Sequence, residues 1–190
     1  MKFYLISIIT IMVFAAGTVT AQHTNFGVKG GLNSYNINTD NGSSFDSKIG
    51  LHVGLLGHIH LKDQYAFQPE LVYSMQGAKS GNTDFKLDYI NVPLLVQYMF
   101  DNGFRIQAGP QLGLLVNANA ENGSSTDISD DFKSIDLGLS VGASYVHPPT
   151  GFGIDARYNL GLSDISENSN IKSTNQGVQV GLFYLFGHRD

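Results

Sequence analysis

The sequence predicts an all-β protein, an eight-stranded antiparallel up-and-down transmembrane β-barrel. Three observations point there. Eight stretches alternate two residue classes with period two, as strands do when their two faces meet different surroundings. The connections between them alternate long and short, which in a meander of hairpins puts all long loops at one end. The less greasy face of each stretch is glycine, amide, hydroxyl and imidazole with little Lys or Glu, whereas a soluble exterior is about a quarter to a third charged.

Along the chain, Lys2 precedes an apolar run from Phe3 to Gly17 and then the small residues of "TVTAQ". This is the layout of a cleavable export signal, residues 1–21, cut after Ala21. Residues 22–190 are then expected to form one β-barrel domain. No cysteine occurs, so neither a disulfide framework nor a lipid-anchored N-terminus is expected. The chain has 14% charged residues and a net charge of −5, which argues against nucleic acid as a partner.

The first stretch, "NFGVKGGLNSYNI", sets Phe26, Val28, Gly30 and Leu32 on one face. The second, "KIGLHVGLLGHIHLK", opposes Ile49, Leu51, Val53, Leu55, Ile59 and Leu61 to Gly50, His52, Gly54, Leu56, His58 and His60. The third and fourth, "QYAFQPELVYSMQ" and "YINVPLLVQYMF", place Glu70 and Gln68, then Asn91, Pro93 and Gln97, on the polar face. "FRIQAGPQLGLLVNA", "IDLGLSVGASYV" and "FGIDARYNLGLS" follow with Arg105, Gln107, Gln111, Asp136, Asp155 and Arg157 on that face, and "VQVGLFYLF" closes the series. Four connections are read as long, "NTDNGSSFDS", "GAKSGNTDFK", "NAENGSSTDISDDFK" and "DISENSNIKSTN"; "KDQ", "DNG" and "HPPTG" are short. Pro93 and Pro110 fall inside strands, where bulges or breaks in pairing are expected.

The aromatic residues decide which face meets lipid. Phe26, Tyr65, Phe67, Tyr98, Phe100, Phe104, Tyr145, Phe152, Tyr184 and Phe186 all fall near the short-turn end, on the apolar face. Rings concentrated at one height form a girdle at a membrane–water interface. The apolar face therefore points to lipid, and the glycines and amides fill a lumen that eight strands leave just wide enough for side chains. Soluble lipocalin-like barrels have the opposite orientation.

"FGVKGGLN", "YINVPLLVQY", "AGPQLGLLV", "DLGLSVGASY", "DARYNLGLSDI" and "GVQVGLFYLF" together resemble the PorT-like, or porin-like, family of small outer-membrane β-barrels over the whole chain after the signal. The resemblance implies an eight-stranded barrel in the outer membrane, with relatives that assist protein secretion. The closing aromatic strand is of the kind that the insertion machinery reads, although "GHRD" trails behind it.

Six charges point inward: Lys29, Glu70, Arg105, Asp136, Asp155 and Arg157. A selectivity ring would carry one sign. A balanced set suits a salt-bridge network that ties strands together and plugs the lumen, since an unpaired buried charge costs several kcal/mol. Glu70 and Arg157 fall at similar depth and are expected to meet. His52, His58, His60, Gln107 and Gln111 complete the polar lining. His58 and His60 at i, i+2 could hold a metal, but no carboxylate or cysteine lies locally beside them, so no metal or cofactor is expected. A lipid-modifying enzyme would have to draw on His52, Asp136 and the loop serines Ser43, Ser44, Ser124 and Ser125, and no spacing sets a base beside a nucleophile. The sequence thus points to a non-enzymatic, monomeric barrel of structural or interaction type, held in outer-membrane lipid and meeting protein partners through its long loops. A narrow passive pore is the alternative.

Overall fold

Each alternating stretch becomes a strand of one closed wall. The computed structural model describes residues 24–40, 45–168 and 171–187; the expected signal, residues 1–21, lies outside them. The wall is made by β1 (Thr24–Thr39), β2 (Asp46–Lys62), β3 (Tyr65–Ser80), β4 (Thr83–Met99), β5 (Phe104–Glu121), β7 (Ile135–Val146), β8 (Phe152–Gly161) and β9 (Ser173–Leu185). A short β6 (Ser125–Asp127) folds back on β5 above the ring. All neighbours pair antiparallel, and β1 pairs with both β2 and β9, which closes the sheet. Closure leaves the eight wall strands without an edge, which is the condition for crossing lipid with strands.

The two faces divide as the alternation requires. Ile49, Val53 and Leu182 are 73%, 60% and 65% exposed on the outside, while Lys29, Glu70, Asn91, Gln107 and Arg157 are buried inside. The hollow is too tight for side chains everywhere. A Cβ on Gly31 would run into Val180 O, Gly181 Cα and the His52 ring.

Two expectations about the connections need correction. "GAKSGNTDFK" is not a long loop: β3 runs to Ser80, β4 starts at Thr83, and only a tight turn at Gly81, φ +56°, joins them. β5 likewise continues to Glu121. These Ser/Asn/Gly-rich segments stay paired because charges face each other across the ladder, as Lys79 does Asp84 (3.5 Å) and Lys86 does Glu121. The prolines interrupt pairing without shifting register. It lapses between Pro93↔Gln111 and Val96↔Ala108, and between Pro69↔Leu94 and Val72↔Asn91, where a proline has no N–H to give. A bulge lies instead at Val116, where Asp88 pairs Asn117 but Tyr89 pairs Leu115.

Towards the loop end the wall inverts its polarity. Inward positions change from Lys29 and Asn33 to Ile37 on β1, from Glu70 and Ser74 to Ala78 on β3, and from Gln97 and Asn91 to Tyr89 and Leu87 on β4. Outward positions change from Val28 and Leu32 to Asn36 and Asn38, and from Val96 and Ile90 to Asp88, Lys86 and Asp84. A strand needs about 9–11 residues to cross a bilayer, and strands of 16–18 residues on this side carry the barrel past it. The inversion marks where the outer solvent changes from hydrocarbon to water.

Candidate functional site: the lumen and its outer mouth

Midway along the lumen, four of the six inward charges meet. Arg157 of β8 forms a two-pronged bond with Glu70 of β3, Nη1 to Oε2 and Nη2 to Oε1, each 2.9 Å. In the ring order β3 and β8 stand opposite, so this pair crosses the full width of the lumen. Lys29 of β1, midway round the wall, reaches Glu70 at 3.3 Å and Asp155 at 3.0 Å, and Arg157 also holds Asp155 at 2.9 Å. Gln68 donates to Glu70 Oε1 at 2.7 Å. Two cations and two anions therefore cancel in a buried ring of contacts, the arrangement in which low-dielectric charges are tolerated.

The other two inward charges stand apart. Arg105 lies near the short-turn end, with its Nη1 bonded to no group among the described residues. Asp136 lies near the loop end and accepts a bond from Ser163 Oγ at 2.9 Å. A further inward charge, Lys48, escaped the sequence reading because it sits at the loop-end margin of its stretch; it donates to the Gln76 carbonyl at 3.2 Å.

Around the ion cluster the lining is a lattice of neutral bonds. Gln97 donates to Gln107 (2.7 Å), Ser140 to Gln111 (3.1 Å), Asn33 to Ser74 (2.9 Å), and Asn159 to the Tyr35 hydroxyl (2.6 Å). Asn175 of β9 reaches across to Gln76 of β3. Between Tyr35, Gln76, Gln111, Asn159 and Asn175 lies a cavity of about 10 Å³, room for a single water at most. His52 is buried against Gly31 and Gly181. His58 and His60 meet edge to face at 4.6 Å, and no trio of metal-ligating side chains gathers among the described residues. No hydrogen bond joins His52, Asp136, Ser124 and Ser125 to one another among the described residues; Ser43 and Ser44 lie outside them.

Apolar side chains cluster at each end of this column, beside Arg105 and His58 at the short-turn end. Leu56, Val146, Phe183 and Leu185 pack together towards the short turns. Ile37, Ala78, Leu87, Tyr89, Ala118 and Ile165 pack across the loop end, with Phe45, Leu115, Ile128 and Phe132 against them. The ten aromatics of the apolar face point outward, and seven of them make two contacting arcs: Tyr65, Tyr98, Phe100 and Phe104 in one, with centroids 4.9–5.7 Å apart, and Phe152, Tyr184 and Phe186 in the other, at 4.7 and 5.2 Å.

The mouth cluster was not anticipated from the sequence. Its signal was present: Phe45, Phe85, Ile128, Phe132, Ile165 and Ile171 are single apolar residues in otherwise polar connections. Two loops bring them inward. Lys133 N bonds Ile165 O (2.8 Å), Ile165 N bonds Ser173 O (2.8 Å), and Glu167 N bonds Asp131 O (3.0 Å). Lys133 Nζ also sits 2.7 Å from Asp164. That bond, with the Ser173 and Ser166 amides, holds the Asp164 carboxyl down to about 2.

Comparison with known proteins agrees with this architecture. The crystal structure of Neisserial surface protein A has a TM-score of 0.59 at 19% identity, covering 85% of this chain and 98% of that one. Ail, the attachment invasion locus protein of Yersinia pestis, in complex with the heparin analogue sucrose octasulfate, has a TM-score of 0.51 at 15% identity, covering 85% and 99%. At these identities the likeness is one of fold. No curated protein matches the chain. Residues 20–167 match the family described as outer membrane protein beta-barrel domain, and the chain belongs to that family.

Proposed function

We propose that this outer-membrane barrel is closed to solutes and serves as a structural and interaction element of the envelope. The supporting observation is the neutral Lys29–Glu70–Arg157–Asp155 cluster, which runs from wall to opposite wall. The apolar cluster across the loop end adds a further barrier, since an ion entering it would shed its water without finding a partner. The outward aromatic arcs would anchor the short-turn end at the inner lipid interface. Contacts with other molecules then fall to the loop end. There Lys79, Lys86 and Lys133 are each held by a carboxylate and the exposed Lys172 stands without an ion pair among the described residues, a sparse positive surface for polyanions such as the heparin analogue bound by Ail. Any part in protein secretion, which the PorT-like resemblance implies, would be played by these loops rather than by transit through the lumen.

Planar-bilayer recording of the purified protein tests this. The wild-type barrel should give no steady unitary conductance. Regular open-channel steps in the wild type would defeat the proposal and favour a narrow pore.

A further inference from the structure

We infer that the outer mouth is a binding site for a small, largely apolar molecule carrying a cationic or hydrogen-bond-donating end. Above the apolar floor lies a pocket of about 580 Å³, within the range of about 300–1,000 Å³ for small-molecule sites. Phe45, Phe85, Ile128, Phe132 and Ile171 form its walls and Ile37 its base. All lie beyond the level at which the outer face turns polar, where no lipid is available to cover them. Water is the default occupant, and wetting a concave apolar wall is unfavourable.

The walls are built rather than collapsed. Phe45 and Phe85 stand edge to face at 5.8 Å. Phe132 is pinned by a bridge to Ser166, Ile128 N bonds Ala118 O of β5 (3.0 Å), and Ile171 N bonds Asn168 O (3.2 Å). Preorganised walls spare a ligand the cost of ordering them. The floor is sealed by Ile165, Leu87 and Ala118, each fully buried, so the pocket is a dead end rather than a vestibule.

The rim gives the ligand its polarity. Asp131 and Glu167 both line the pocket, and neither forms an ion pair among the described residues, whereas neighbouring Asp164 and Glu121 do. Two uncompensated carboxylates over an apolar chamber attract a cation or an N–H donor and repel an anionic head. A fatty carboxylate or a sulfonated amphiphile is therefore a poor occupant.

Methyl spectroscopy of the whole barrel in phospholipid nanodiscs tests this, with isoleucine methyls labelled. Ile37, Ile128 and Ile171 report on the pocket, and Ile49, Ile106 and Ile154 on the lipid face. The probes are N-phenyl-1-naphthylamine, a neutral aryl amine, and its sulfonated counterpart 8-anilinonaphthalene-1-sulfonate. The amine should shift the pocket methyls saturably and leave the lipid-facing ones drifting without saturation. The sulfonate should bind about tenfold more weakly or worse, and Asp131→Asn with Glu167→Gln should erase that preference. Phe132→Ser and Ile171→Ser should each abolish saturation. If either variant loses the wild-type pattern of lipid-facing methyls, the two probes on the wild type still decide. Absence of saturable pocket shifts, or equal binding of the two probes, overturns the inference. The outcome is independent of conductance, because a closed lumen with an empty mouth and a conducting lumen with an occupied one give different pairs of results.

Discussion

Removing the carboxylate that both lumen cations share is the most direct probe of the barrel's interior. Glu70→Gln keeps the shape and one acceptor but takes the cluster from neutral to one net positive charge, with Lys29 and Arg157 left to divide Asp155. Glu70 accepts four of the bonds in the cluster, two from Arg157 and one each from Lys29 and Gln68. Breaking a buried pair from one side costs about 3–5 kcal/mol, chiefly because the partner charge is stranded. The amide still accepts one bond, so the lower end, about 3 kcal/mol, is expected. Adding Lys29→Met restores neutrality, leaving Arg157 with Asp155, and the double variant should recover about 1–2 kcal/mol relative to the sum of the single changes. The measurement is urea unfolding in phosphatidylcholine vesicles followed by far-ultraviolet circular dichroism, since the chain has no tryptophan to report by fluorescence. A loss below about 1 kcal/mol for Glu70→Gln, or strict additivity in the double variant, would refute charge balance as the reason these four residues sit together.

Two further outcomes follow from the wall and the loops. Gly31→Val should abolish folding into vesicles because its side chain would enter the β9 backbone and His52, whereas Gly57→Val on the lipid face, whose nearest neighbour is Pro69 Cγ at 3.8 Å, should fold with wild-type yield; equal yields would remove the crowded-lumen explanation for the inward glycines. The Asp164 carboxyl is held down to about 2 by Lys133 and the Ser173 and Ser166 amides, so its support of the two mouth loops is complete above the ordinary carboxylate range and fades as pH falls towards that value. Amide exchange at Ser166 and Ser173 should therefore lose protection between about pH 4 and pH 2, with Asp164→Asn unprotected throughout.

Alternation makes a residue's face legible but not its height. That Glu70, Arg105, Asp136 and Arg157 share the inner face can be read from parity alone. Which of them meet depends on the stagger between strands, which a pattern of twos does not encode. Arg105 and Asp136 lie towards opposite ends of the column, away from the ion cluster; Asp136 bonds Ser163, and Arg105 Nη1 has no partner among the described residues. The strand ends were lost for a related reason. Between Gly77 and Asp84 both faces of the hairpin carry small and polar residues, and hydropathy has no contrast to report, although Asn and Gly at the turn and Lys79 opposite Asp84 mark a tight hairpin.

The mouth is illegible to any single hydropathy rule because the strands pass through two solvents. Inside the lipid slab, apolar means outward; beyond it, the same strands with the same parity place Ile37, Ala78 and Leu87 inward. On β5 even parity fails, since the bulge at Val116 moves the inner face from Gly113 to Ala118. A residue such as Phe85 or Phe132, isolated among Ser, Asn and Asp, then looks like loop noise when judged by the lipid rule. Judged by the rule for water, an aromatic ring that gives up solvent stabilises whatever encloses it by about 1.5–3 kcal/mol. Several such rings from separate connections have one common place to go, the open end of the barrel. The inversion of polarity along β1, β3 and β4 therefore locates both the edge of the membrane and the start of a second core, one that packs against water rather than lipid.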